Sequence, residues 1–321
     1  MARKLSLRSG RVTGDERLAD HLGSTYGIEV AEIRALDQGV YRVDRRDGPS
    51  WVARMFPPER SLAGVEGDAA ILRELQARGF PSERCAHPEP VSALDGQGVL
   101  VTEFVEAGPA LRPGRPAAIL GVLLGRLHAN PAANLRRGGA WHHLSFTGGP
   151  REEIDAAAER LENASARVGV RLLSLYHQLL DAVEGTDDCE DLPHALVHPD
   201  FVPANAIPTP DQHLVIVDWT GAGRGPRLWS LAWLLWVAGA RSPRLVELIV
   251  SRYLRASTLE PAELDRLEAA MRARPLMLEC WSFWAGRREL SDAVQRVEEA
   301  NRIAARVAAQ ARLLFERGLS T

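Results

Sequence analysis

Lysine is nearly missing from this chain. Lys4 is the only one in 321 residues, and every other basic side chain is arginine. The 39 basic residues face 42 acids, a formal net charge of −3, which excludes the broad basic field that nucleic-acid binders use. Cysteine is scarce too. Cys85, Cys189 and Cys280 are odd in number, far apart and form no CxxC pair, so neither a disulfide framework nor a zinc site is expected, and a reducing compartment suits them. The longest apolar stretch, Leu228–Ala240, is interrupted by Ser230 and falls short of the ~18 residues a membrane span needs. The start, MARKLSLRSGRVTGDER, lacks the apolar core of a secretory signal. Internal repeats and low-complexity tails are also absent. What remains is 45% hydrophobic and 25% charged, the proportions of a globular chain able to form one large or two modest domains. The expectation is a cytoplasmic protein without nucleic-acid or membrane partners.

Against this plain background one stretch stands out, HALVHPDFVPANAIPTPDQHLVIVDWTGAGRG, residues 194–225. It predicts a short strand (Ala195–Val197), a loop, a turn at Pro208–Asp211 and a second strand (Leu214–Val217). Polar residues stand where these elements end. His198, Asp200 and Asn205 form the pattern H-x-D-x-x-x-x-N, and Asp218 follows an apolar run thirteen positions after Asn205. Phosphoryl transfer needs a carboxylate beside the acceptor hydroxyl and hard oxygen ligands for magnesium near the phosphates. One loop and one strand end supply both. An isolated Asp before a loop reads as a cap or turn residue; the ordered set carries the chemistry.

VHPDFVPAN followed by IVDWTGAGRGP resembles the aminoglycoside phosphotransferase and choline kinase-like family, relatives of the protein kinases, and the likeness extends from about Ala35 to Trp236. Pro199 stands where the family has Gly. The resemblance implies an α+β, two-lobed protein-kinase-like fold: a small β-rich N-terminal lobe (1–106, with an N-terminal helix), a hinge and linker (107–116) and a larger helical lobe (117–321). It implies ATP or GTP with Mg2+ in a cleft between lobes, and a small-molecule hydroxyl acceptor. Asp200 would orient and deprotonate that hydroxyl, His198 would brace the loop, and Asn205 with Asp218 would hold the metal. The lysine that usually grips the α- and β-phosphates is matched by Arg54 in the predicted strand WVARMF, steadied by Asp68 or, alternatively, Glu66 on helix 65–78. The hinge backbone of Glu103, Phe104 and Val105 would read the adenine edge. The phosphate-covering turn, Leu36–Val40, holds a single glycine and by itself reads as a hairpin. Ser230 replaces the aspartate that usually steadies the catalytic loop, which puts that loop's rigidity in question.

Further along, the pattern predicts a helix at 13–26, strands at 30–37, 40–46, 50–56, 88–94 and 98–104, and helices at 117–129, 151–183 (one or two), 244–254, 261–274 and 287–317. Trp229, Trp233 and Trp236 recur at helical spacing as core. His128 ends a core face, and His142–His143 lacks ligand-type neighbours. The acid run 181–191 could draw a polycation, or be a solvated loop. Trp281 and Trp284, three apart beside Glu279, could form an aromatic wall for a cationic or ring-bearing acceptor; the same spacing also describes a core helix. The stripe Val294, Val297, Ala304, Ala308, Ala311, Phe315 predicts docking on its own lobe, or a homodimer. Three functions stay open at this point: modification of an antibiotic such as an aminoglycoside, phosphorylation of a choline-, amino-alcohol- or sugar-like metabolite, and non-catalytic nucleotide-binding regulation.

Overall fold

The computed structural model describes residues 14–129, 135–141 and 148–319; Lys4, Thr13, His142 and His143 lie outside them. The chain divides into two compact units, residues 1–69 with 83–104, and residues 70–82 with 105–321.

The first unit is a five-stranded antiparallel sheet with one helix against it. Strands β1 (Val30–Asp37), β2 (Val40–Arg45), β3 (Trp51–Met55), β4 (Val91–Leu94) and β5 (Gln97–Glu103) take the order β1-β2-β3-β5-β4. Alternation in β3 sends Trp51 and Ala53 to the core and leaves Val52 and Arg54 on the other face. Helix α1 (Gly14–Tyr26) places Leu18 and Leu22, one turn apart, on this core with Ile28, Val43, Trp51, Ala53, Val99 and Val101. Burying two such leucines contributes roughly 1.5–3 kcal/mol each. Tyr26 meets Trp51 edge-on at 5.7 Å. Helix α2 (Leu62–Ala77) begins in this unit and continues in the second.

The second unit is mainly helical: α3 (Arg115–His128), α4 (Pro150–Ala164), α5 (Leu173–Glu184), α6 (Arg227–Arg241), α7 (Pro243–Tyr253), α8 (Pro261–Trp284) and α9 (Leu290–Leu319). Two short ribbons sit among them, β6 (His194–Val197) with β9 (Gly223–Pro226) and β7 (Ala206–Pro208) with β8 (Leu214–Ile216). Helix α6 is the apolar run of the sequence, buried from Leu228 through Leu235. The expected helix end at Arg274 is corrected: α8 passes through Pro275 to Trp284. Pro275 removes a helical hydrogen bond, yet Ala273, Arg274, Leu276 and Met277 around it are buried, and this packing outweighs the local cost. The α9 stripe is covered within its own unit, Phe315 lying edge-on to Tyr253 at 6.0 Å.

Candidate active site

The loop between β6 and β7 brings His198, Asp200 and Asn205 together with Asp218 at the end of β8. His198 is fully buried. Its Nδ1 accepts the Asp200 N–H at 3.0 Å, so Nε2 carries the proton and donates to Val217 O at 3.1 Å. Burial pushes this imidazole below its ordinary value, against the pull of Asp218. A neutral ring with both nitrogens engaged braces the loop. The backbone continues the tie: Val202 N donates to Asp200 O, Asn205 N to Val202 O and Val217 N to Asn205 O, at 2.9–3.0 Å.

Asp200 itself is only half-buried, yet both carboxylate oxygens are held. Asn205 Nδ2 donates to Oδ2 and to the Asp200 carbonyl, each at 2.9 Å. Trp233 Nε1 donates to Oδ1 at 2.6 Å. Because both Asn205 contacts use the amide nitrogen, its amide oxygen is the end left for a hard cation. Asp218 has φ of 66°, a left-handed conformation uncommon outside glycine, and outliers of this kind cluster at functional sites. The following segment, Trp219–Gly223, is buried throughout. Trp219 lies edge-on to His198 at 4.7 Å and donates to Ile216 O at 2.9 Å. Gly221, at φ 81°, accepts the Gly139 N–H at its carbonyl and leaves no room for a Cβ, which would stand 2.7 Å from Ala140 O.

Helices behind the loop grip it from outside. Ser230 Oγ donates to His198 O at 2.8 Å, so the serine still ties down the catalytic loop. Arg274 Nη2 donates to Pro199 O at 3.0 Å. Arg274 forms a buried ion pair with Glu153 of α4, which also accepts Trp141 N–H at 2.7 Å. Burial pushes the Glu153 carboxyl above its ordinary value, with Arg274 pulling it back. Nothing in the sequence pattern singles out Trp233, Arg274 or Glu153: two read as helical core or helix terminus, and the third as one acid among many.

Most of the other expected nucleotide residues belong to the first unit. Within the first unit, Arg54 stands on β3, half-buried, opposite Val40 and Leu100. Asp68 forms an ion pair with Arg60, both side chains 1% exposed; Arg60 also lies over the Phe56 ring at 4.9 Å. This arginine escaped the sequence reading because it sits in a turn-like PPERS segment. Gly39 (φ 71°) closes the β1–β2 hairpin where a Cβ would stand 2.7 Å from Met55 O. The N–H groups of Glu103 and Phe104 already donate to Arg84 O (2.8 Å) and Ser50 O (3.0 Å). Val105 belongs to the second unit.

The residues read as an acceptor wall lie at the end of α8. Trp281 meets Trp141 edge-on at 5.7 Å and carries the Arg287 guanidinium over its ring at 4.1 Å. Trp284 has Arg160 at 5.4 Å. Glu279 pairs with Arg288 at 2.7 Å; burial raises its carboxyl while Arg288 lowers it. The acid run is similarly engaged: Asp187 and Asp191 by Arg266, Asp188 by Arg151 and Glu190 by Arg137.

Among described residues no helix is long and apolar enough to cross a membrane. Among curated protein sequences nothing matches the chain. Its fold is similar to that of an amicoumacin kinase solved with AMP-PNP, Ca2+ and Ami, at 14% identity, covering 89% of this chain and 92% of that one, with a TM-score of 0.64. It is similar also to a choline kinase from Streptococcus pneumoniae (16%; 90% and 97%; 0.62) and to a microcompartment-associated aminopropanol kinase (17%; 92% and 98%; 0.58). These likenesses are to two-lobed, protein-kinase-like α+β structures. The phosphotransferase enzyme family matches residues 29–272, so the chain belongs to that family and is a kinase-type transferase acting on a hydroxyl group.

Proposed function

We propose that this chain moves the γ-phosphoryl group of ATP or GTP to a hydroxyl of a small molecule, with Asp200 as the group that orients the hydroxyl and receives its proton. The observation that carries this reading is the Asp200 carboxylate itself, half-exposed and tethered at Oδ1 by Trp233 and at Oδ2 by Asn205. A loose transition state asks mainly for positioning and charge stabilisation. A carboxylate fixed by neutral donors keeps its full charge for the incoming proton. His198, neutral and doubly bonded, serves the loop.

Asn205 and Asp218 fit a divalent cation by the chemistry of their donors, an amide oxygen and a carboxylate, both hard ligands. Among described residues no cluster of three or more His, Cys, Asp or Glu side chains could hold a metal. A pair of protein oxygens completed by phosphate oxygens and water is the manner in which Mg2+ is usually held. When bound, Mg2+ would neutralise charge on the phosphates. Arg54 is assigned to phosphate; Asp68, expected to steady it, pairs with Arg60 and steadies that segment. Adenine recognition falls to the remaining backbone groups of Glu103, Phe104 and Val105, because the first two N–H groups are spent.

The acceptor is read as a hydroxyl compound with little positive charge. The feature that pointed to a polycation, the run 181–191, and the Trp281, Trp284 and Glu279 wall read for a cationic or ring-bearing acceptor have the chain's own arginines in the places a cation would take. This favours a metabolite-like acceptor over an aminoglycoside. Turnover of MgATP and MgGTP, alone and with a panel of aminoglycosides, amino alcohols, choline and sugars, tests the reading. Acceleration by a neutral acceptor supports it. Acceleration by aminoglycosides alone would reverse the choice of acceptor, and no transfer to any panel member would count against the reaction.

A further inference from the structure

Trp233 reads in the sequence as one of a helical series of core tryptophans. In the structure it is 8% exposed, and its single polar atom is spent on Asp200 Oδ1 at 2.6 Å. The indole does not stand alone. Its ring stacks on Trp236, with centroids 5.3 Å apart and planes 18° from parallel. Trp236 Nε1 in turn donates to Ala300 O on α9 at 3.1 Å. Ser230, Trp233 and Trp236, spaced by three, share one face of α6. The first fixes a loop carbonyl, the second the carboxylate, and the third ties the pair to another helix.

We propose that Trp233 is a positioning residue of the reaction: its indole N–H, oriented by the stack on Trp236, fixes the Asp200 carboxylate in the rotation that meets the acceptor hydroxyl. This rests on the phosphotransferase reading given above. The physical case follows from what each donor can do. The terminal torsion of an aspartate is broad and two-fold, so Asn205, tethered to Oδ2, leaves the carboxylate free to swing about that contact. A second tether at Oδ1 removes the swing. An indole is a donor only; it cannot take the substrate's proton in place of Asp200. It also brings no charge, whereas an arginine there would neutralise the base. The Trp233 bond thus joins Ser230 in supplying the rigidity that the serine at that position put in question.

Trp233→Phe deletes the N–H and keeps the ring and its stack. Hydrolysis of MgATP and MgGTP, with water as acceptor, is measured for the parent chain, Trp233→Phe and Asp200→Asn, together with nucleotide binding and melting. The expected result for Trp233→Phe is a kcat lower by roughly tenfold or more, the effect of losing a hydrogen bond to a charged group, with nucleotide affinity and melting nearly unchanged. A group that merely fills the core would leave kcat at the parent value, and that result would overturn the proposal. A second arm needs no turnover. Among the eight tryptophans, the Trp233 indole N–H resonance is identified by its loss in Trp233→Phe. Asp200→Ala should shift this resonance and speed its exchange with solvent; an unmoved signal would also overturn the proposal. If the parent chain transfers phosphate to no member of the acceptor panel while the signal still responds to Asp200→Ala, the phosphotransferase reading fails and the contact stands.

Discussion

Two aspartates, one in each unit, show how differently a carboxylate can be held. Asp68 of the sheet unit is 1% exposed and paired with Arg60, itself buried to the same degree. Asp200 of the helical unit is half-exposed and held by an amide and an indole. A buried carboxylate without a cation would cost several kcal/mol, so Asp68 comes with its arginine, and the pair fixes a segment. Neutral donors leave Asp200 its charge and its access to solvent while removing its freedom to rotate. The first arrangement suits a strut. The second suits a base.

The comparison can be broken most forcefully at Asp218, the charged neighbour of the Asp200 loop. Asp218→Ala should lower nucleotide turnover by roughly 10³-fold, the upper end for losing one preorganised charge-stabilising group, and should raise the magnesium concentration needed. An unchanged magnesium titration would remove Asp218 from the metal site.

The strut is tested next by stability. Asp68→Asn leaves Arg60 buried and unneutralised by this carboxylate, and should cost ~3–5 kcal/mol, read in a denaturant melt. Replacing both partners, Arg60→Met with Asp68→Leu, should recover most of that loss, because an apolar pair of similar volume avoids the desolvation cost. A double variant as unstable as the single one would show that the ion pair itself, rather than the avoided orphan charge, stabilises the segment.

A smaller effect is expected at Arg54. Arg54→Ala should raise the nucleotide KM by about tenfold or more, the loss of one charge-assisted contact. Arg54→Lys should retain much of the affinity, since a point charge still meets phosphate. Equal behaviour of alanine and lysine would send the phosphate role elsewhere. The least effect belongs to the acid run. Asp188→Asn, opposite the exposed Arg151, should cost only ~0–1 kcal/mol, as surface pairs do, and leave acceptor KM unchanged. A large rise in acceptor KM would restore the polycation reading.

The extent to which the site was legible follows from distance along the chain. His198, Asp200 and Asn205 are local, and their spacing shows in one glance at the sequence. Trp233 and Arg274 reach the same loop from 33 and 75 residues away, and such partners leave no spacing to read. The sheet unit was legible strand by strand because turns such as Leu36–Val40 and the alternation in β3 are local as well. Pro275 misled because its local preference is to end a helix, and buried neighbours on both sides overrode it. Arg60 stayed hidden since a turn arginine looks like a solvated one until its burial is seen. The scarcity of lysine, Lys4 alone, was informative in the opposite sense: it left arginines, among them Arg54, to meet phosphate.

The most direct test of the account is single-turnover transfer by Asp200→Asn, made with the acceptor that most accelerates the parent chain. Asparagine keeps the shape and loses the negative charge that receives the proton. The account predicts nucleotide affinity close to that of the parent and a transfer rate lower by at least ~10²-fold. Transfer by Asp200→Asn at the parent's rate would contradict it.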